Sequence, residues 1–178
     1  MKKTILFKAM ALFMAMTASV SLVSCSDDDD PKPSDDPTAL KAISVSYGAQ
    51  ISSDYLDVYD VNVTYTTVAG ATKTEPMTST VWTHQETFDK SKGELPTEFS
   101  CEVIGTPRAG VNIDPDARYR FEEKGVFIVE GIRNDDKTTM LKTSTPDAGR
   151  TFKGSDVITI MESGNRDILT FSYTRPVK

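Results

Sequence analysis

Tyr59-Asp60-Val61-Asn62-Val63-Thr64-Tyr65-Thr66 alternates apolar with polar side chains. A period of two sends every second side chain to one face of an extended chain, so the segment reads as a half-buried antiparallel strand. Val68-Ala69-Gly70-Ala71-Thr72 supplies a turn after it, and residues 73–85 return rich in Thr, Val and Trp, which predicts a long hairpin. Pro76 has no amide hydrogen to give a ladder, so the returning strand is expected to lie at an edge or to bulge there.

Further strands are expected at residues 41–47, 98–104 and 118–131, and a closing hairpin at 156–162 and 167–174 around Ser163-Gly164-Asn165-Arg166. Val126-Phe127-Ile128-Val129 is apolar at every position, which predicts cover on both faces. The one helical candidate, residues 87–95, contains Gly93 and runs into Pro96, so it can only be short. Seven or eight strands punctuated by Gly, Pro and Asp turns predict an all-β fold, an antiparallel β-sandwich of immunoglobulin-like type. A small closed barrel is the alternative, because alternation does not encode strand order.

The amino-terminal region has a different composition. Lys2 and Lys3 precede an apolar run from Ala9 to Met16, then small and apolar residues up to Cys25, the pattern of a secretory signal. The run is far shorter than the ~20 residues that cross a bilayer. Leu22-Val23-Ser24-Cys25 resembles a bacterial lipobox, which implies cleavage before Cys25 and lipidation of that cysteine. Ser26-Asp27-Asp28-Asp29-Asp30 resembles the surface-export signal of lipoproteins from Bacteroidetes, which implies an outer-membrane protein facing outward. A solvated spacer and a calcium site are the other readings of the Asp run, and no EF-hand glycine or distal glutamate follows it.

These features divide the chain into a signal peptide at 1–24, an acidic tether at 25–39 and one domain at 40–178, a length that suits a single core. Loss of Lys2, Lys3 and Lys8 with the leader takes the net charge from −6 to −9. An acidic surface repels phosphate backbones and anionic headgroups, so no nucleic-acid partner is expected and the membrane contact is assigned to the lipid anchor. With Cys25 lipidated, Cys101 has no intrachain disulfide partner. It shares its phase with Phe99 and Val103, which predicts a buried thiol.

Little in the domain points to catalysis. His84 is the one histidine, no G-x-S-x-G elbow is present, and HExxH and paired CxxC motifs are missing. Glu122 and Glu123 are adjacent on an expected strand and so should point to opposite faces, which suits a glycosidase pair poorly. No Gly-rich phosphate loop is found, and no cofactor is expected. Asp114-Pro115-Asp116 and Asn134-Asp135-Asp136 read as turns before they read as calcium loops.

Trp82 shares its phase with His84 and Glu86. A core tryptophan of the sandwich is the favoured reading, and the polar neighbours supply the competing one, an exposed indole that stacks a sugar ring. Trp82 and His84 are therefore the candidate ligand residues, with Tyr55, Tyr59 and Tyr119 the aromatics whose placement bears on a sugar platform. The resulting expectation is a non-enzymatic binding or interaction module, its partner a glycan or a protein. A structural or assembly subunit of a surface complex is the alternative, and an acid-only hydrolase the remotest reading.

Overall fold

The computed structural model describes residues 36–68 and 70–176. The signal peptide, Cys25 and the Ser26 to Asp30 run lie outside the described residues. Nine strands and two short helices follow in the order β1 (Leu40–Ile51), α1 (Ser53–Val58), β2 (Tyr59–Thr66), β3 (Thr72–Pro76), β4 (Val81–Asp89), β5 (Glu98–Pro107), β6 (Arg118–Arg133), β7 (Thr138–Ser144), β8 (Asp147–Lys153), α2 (Gly154–Glu162) and β9 (Arg166–Thr174).

Two antiparallel sheets pack face to face, one ordered β4-β1-β6 with β7 and β8 both on the far side of β6, the other β3-β2-β5-β9. The fold is thus an all-β sandwich and not a closed barrel. Strands pass between the sheets as in an immunoglobulin-like core: β1 in one, β2 and β3 in the other, β4 back beside β1, β5 back beside β2. β6 then takes the other flank of β1 over its whole length. β7 and β8 keep one register against β6 on either side of Thr145-Pro146, with a bulge where Val129 gives way to Glu130.

The alternating strand behaves as its pattern requires. Tyr59, Val61, Val63 and Tyr65 are buried while Asp60 is exposed, and they face Ile43, Val45, Tyr47 and Ala49 of β1 across the core. Phe127 stacks between Tyr47 and Phe171, with ring centroids 5.8 and 5.6 Å away, and so joins the two layers. Cys101 is fully buried between the sheets.

Several sequence expectations give way. The hairpin after β2 is short: β3 pairs with β2 only from Thr72 to Pro76, after which the chain crosses to the other sheet and residues 81–89 pair with β1. Pro76 lies on the edge strand β3, as expected, at a position whose amide would point away from β2, and Met77 N–H still bonds Val61 O beyond it. Residues 87–89 complete β4, and the helical candidate shrinks to a single 3-10 turn, Lys90–Lys92, that stops at Gly93.

The expected strand at 156–162 is helix α2. Val157, Ile160 and Met161 stand at i, i+3 and i+4 on the covered side, and Asp156 accepts the Lys153 amide at the helix start, so helical spacing overrides the β-branched composition. Val126 and Ile128 are only half-buried, because β6 is flanked on both edges but covered on one face.

Candidate functional site

β4 is an edge strand that pairs with β1 from Val81↔Gln50 to Asp89↔Ala42 without a register break. Its even-numbered side chains turn inward. Phe88 reaches the core, edge-on to Phe99 at 5.2 Å, while His84 and Trp82 stop at the open side of the sandwich.

There they meet sheet two through Tyr65. The Tyr65 ring lies 4.4 Å from the His84 ring and 5.3 Å from Trp82, and Trp82 and His84 stack within 21° at 6.0 Å. Tyr47 closes the inner end, 6.5 Å from His84 and 5.7 Å from Tyr65.

Carboxylates tie this aromatic strip down. Glu75 on β3 accepts from the Trp82 indole N–H at 3.3 Å and from the Tyr65 hydroxyl at 3.0 Å, and it pairs with Lys73. Those donors hold the carboxyl down at about 2, Lys73 contributing most, then Tyr65. Burial, with the Glu75 charge beside it, pushes the Tyr65 hydroxyl up. His84 Nε2 lies 2.9 Å from Glu86 Oε1, two residues on along the same strand face.

The structure therefore brings Trp82 and His84 together, as their shared phase implies. It places Trp82 between the two expected environments: half-buried, one side on Tyr65, its N–H already bonded. The tyrosines do not join it. Tyr55 and Tyr59 are fully buried in a separate cluster with Phe121, and the Tyr119 hydroxyl accepts the Asp114 amide.

In that second cluster Tyr55 donates to Glu123, and Arg166 Nε donates to the Tyr55 hydroxyl at 3.1 Å with its guanidinium over the Tyr55 and Phe121 rings. Burial foremost, with Glu123 adding to it, drives the Tyr55 hydroxyl above its ordinary range. Glu122 instead meets Arg120, so the adjacent glutamates are engaged by different groups rather than facing each other.

The acidic loops serve their own backbones. Asp114 accepts the Asp116 amide at 3.0 Å, and Asp135 accepts the Lys137 amide at 3.3 Å beside Asp136, whose φ is 62°. Among the described residues no group of three or more His, Cys, Asp or Glu side chains is placed to hold a metal ion, and no helix is long and apolar enough to cross a membrane. An open groove of about 410 Å³ beside α1 is lined by Leu56, Met77 and the Asp60–Arg108 pair, which bond at 3.0 Å.

β4 also presents an outer edge, in keeping with the edge placement expected of the segment 73–85. Val81, Thr83, Gln85 and Thr87 are exposed. Since Ile51 N–H bonds Thr80 O, the even residues of β4 exchange hydrogen bonds with β1, and the amides and carbonyls of 81, 83, 85, 87 and 89 point away from the sheet. Alternation could have shown the two faces but not that the strand lies at an edge. Comparison with protein-family models, with curated proteins and with solved structures gave no match.

Proposed function

We propose that this chain is a lipid-anchored, outward-facing outer-membrane protein whose sandwich serves as a non-enzymatic interaction module, making its contact along β4. The observation that carries the contact surface is the long, unbroken edge: nine residues in continuous register, with uncharged side chains on the outer face as far as Thr87. The other sheet edges are protected. β3 is short and ends in Pro76, β7 and β8 are interrupted at Thr145-Pro146, and β5–β9 shifts register at Val103/Ile104.

The address rests on Cys25 and the acidic run after it. Cys25→Ala is expected to abolish lipid labelling and release the protein from the membrane. Replacing Asp27, Asp28, Asp29 and Asp30 with Ala is expected to leave it anchored but shielded from protease added to whole cells. Continued cleavage of that variant from outside would remove the export reading. For the contact surface, a photocrosslinking residue at Gln85 should give a specific adduct on intact cells, and a clean absence of adducts would remove β4 as the contact.

A second reading, glycan binding, is favoured by the stacked Trp82–His84 pair beside Glu75 and Glu86. It requires tryptophan fluorescence to shift on titration with a polysaccharide panel, and flat titrations together with flat calorimetry would dismiss it.

A further inference from the structure

We infer that the partner of the β4 edge is a second copy of this chain, paired antiparallel about a two-fold axis at Gln85. The inference rests on the reading of β4 as the contact surface and adds what occupies it.

Val81-Trp82-Thr83-His84-Gln85-Glu86-Thr87-Phe88-Asp89 matches itself about its middle residue at Thr83/Thr87 and Trp82/Phe88, sets His84 opposite Glu86, and is unmatched at Val81/Asp89. Antiparallel self-pairing centred there sets Thr83 against the other copy's Thr87, Trp82 against its Phe88, and His84 against its Glu86. β-Branched and aromatic cross-strand pairs favour a ladder, and an imidazole opposite a carboxylate can hydrogen-bond across it. It is also the register that overlaps the whole strand.

Backbone geometry permits this register. The outward-pointing groups belong to the odd residues, so Gln85 on Gln85, Thr83 on Thr87 and Val81 on Asp89 become hydrogen-bonded pairs, giving about ten inter-chain bonds. His84 and Glu86 then form non-hydrogen-bonded pairs, whose side chains approach most closely, with Cα atoms ~4.5 Å apart. Each half-exposed imidazole would sit between its own Glu86, already 2.9 Å away, and the partner copy's. The first sheet would continue from one copy into the other.

Anchoring strengthens such pairing, since confinement to one surface raises the effective concentration of each copy for the other. A two-fold at Gln85 runs the two β1 strands in opposite directions. Residues 36–39 are held against Asn134 and Asp135, so the span from Cys25 to Asp36 reaches at most ~40 Å, equal to the ~40 Å length of β1, which still lets both anchors enter one leaflet.

Two experiments separate this inference from the reading beneath it. With a benzophenone amino acid replacing Gln85 in the full chain on intact cells, an adduct of twice the monomer mass containing only this chain is the expected result. An adduct with a different protein alone would overturn the second copy and keep the β4 contact. No adduct would overturn both.

The register is tested by sedimentation of purified full-length protein. His84→Glu should weaken self-association about ten-fold, because it sets two carboxylates opposite each other twice per dimer, and Glu86→Lys should weaken it by a similar factor, because it removes the carboxylate that each imidazole faces. An equimolar mixture of the two variants should recover wild-type association, since each introduced charge then faces its opposite. Failure of the mixture to recover, or wild-type association by either variant alone, would overturn the register.

Discussion

Replacing Gly125 with alanine would put a methyl carbon 2.2 Å from Cζ of Phe171 and 3.1 and 3.2 Å from its Cε atoms. Carbon atoms pack at ~3.5–4.0 Å, so the ring or the strand must move by more than an ångström. Neither moves freely. Gly125 is on β6, paired with Ala49 of β1 and fixed by its amide to Pro146 O, while Phe171 is 3% exposed and stacks on Phe127. Overpacking of a tight core costs ~1–3 kcal/mol. Removing a glycine from a strand returns ~0.5–1 kcal/mol. The net expectation is a loss of about 1–2 kcal/mol, or a fall in Tm of roughly 3–8 °C for a domain of this size.

Phe171→Leu tests whether the clash is the cause. Alone it should cost ~1–2 kcal/mol through lost packing. Combined with Gly125→Ala it should cost less than the two singles together, by ~1 kcal/mol or more, because the shorter side chain vacates the space the methyl needs. Urea and thermal unfolding followed by circular dichroism measure all four corners of the cycle. A Gly125→Ala variant as stable as the wild type, or strict additivity of the pair, would refute the claim that this strand crosses at its glycine because the Phe171 ring fills the space above it.

Gly154→Ala should be worse tolerated locally, since its methyl would lie 1.9 Å from the Asp114 carbonyl oxygen; displacing that loop breaks the Gly154-to-Ala117 and Ser155-to-Pro115 bonds, ~1 kcal/mol each, seen as faster amide exchange at the start of α2. Burial pushes the Cys101 thiol up to about 12, so native protein at pH 8 should react with a thiol reagent far more slowly than protein in denaturant, and equal rates would contradict its place in the core. Glu75 has a folded pKa of about 2, below its unfolded value, so its stabilisation is complete above the unfolded pKa and is lost as pH falls from ~5 towards 2. Glu75→Gln should therefore flatten the acid limb of a stability–pH curve while changing the alkaline side little, and an unchanged acid limb would show that Lys73, Tyr65 and Trp82 do not hold the charged form.

What could be read in advance depended on how many environments a segment distinguishes. β2 has one face on the core and one in water, so its alternation names both the strand and its inward residues. Cys101 followed from the same rule. β7 and β8 stand at an edge with most side chains exposed, so Thr138–Ser144 and Asp147–Lys153 carry no hydrophobic period and were missed. α2 was misread because Val157, Ile158, Thr159 and Ile160 are β-formers by type, and its spacing of covered residues matters more than their branching. Tyr55 and Tyr59 looked like candidates for a surface platform, yet α1 folds Tyr55 inward against Phe121.

β4 shows the limit most clearly, and it is where function is proposed. Its alternation places Trp82, His84 and Glu86 on one face, but the two polar neighbours do not say whether that face meets the core or water. The structure gives a position between the two. The polar pair faces inward at the open side of the sandwich, where Tyr65 and Tyr47 cover it, and the uncharged Thr83, Gln85 and Thr87 face water. A strand with an uncharged outer face as far as Thr87 and no bulge or proline lacks three of the common guards against pairing and keeps only the inward Glu86. Either that edge is an aggregation hazard, or something regularly occupies it. The pairing about Gln85 of Thr83 with Thr87, Trp82 with Phe88 and His84 with Glu86 favours the second, because a hazard has no reason to be complementary to itself.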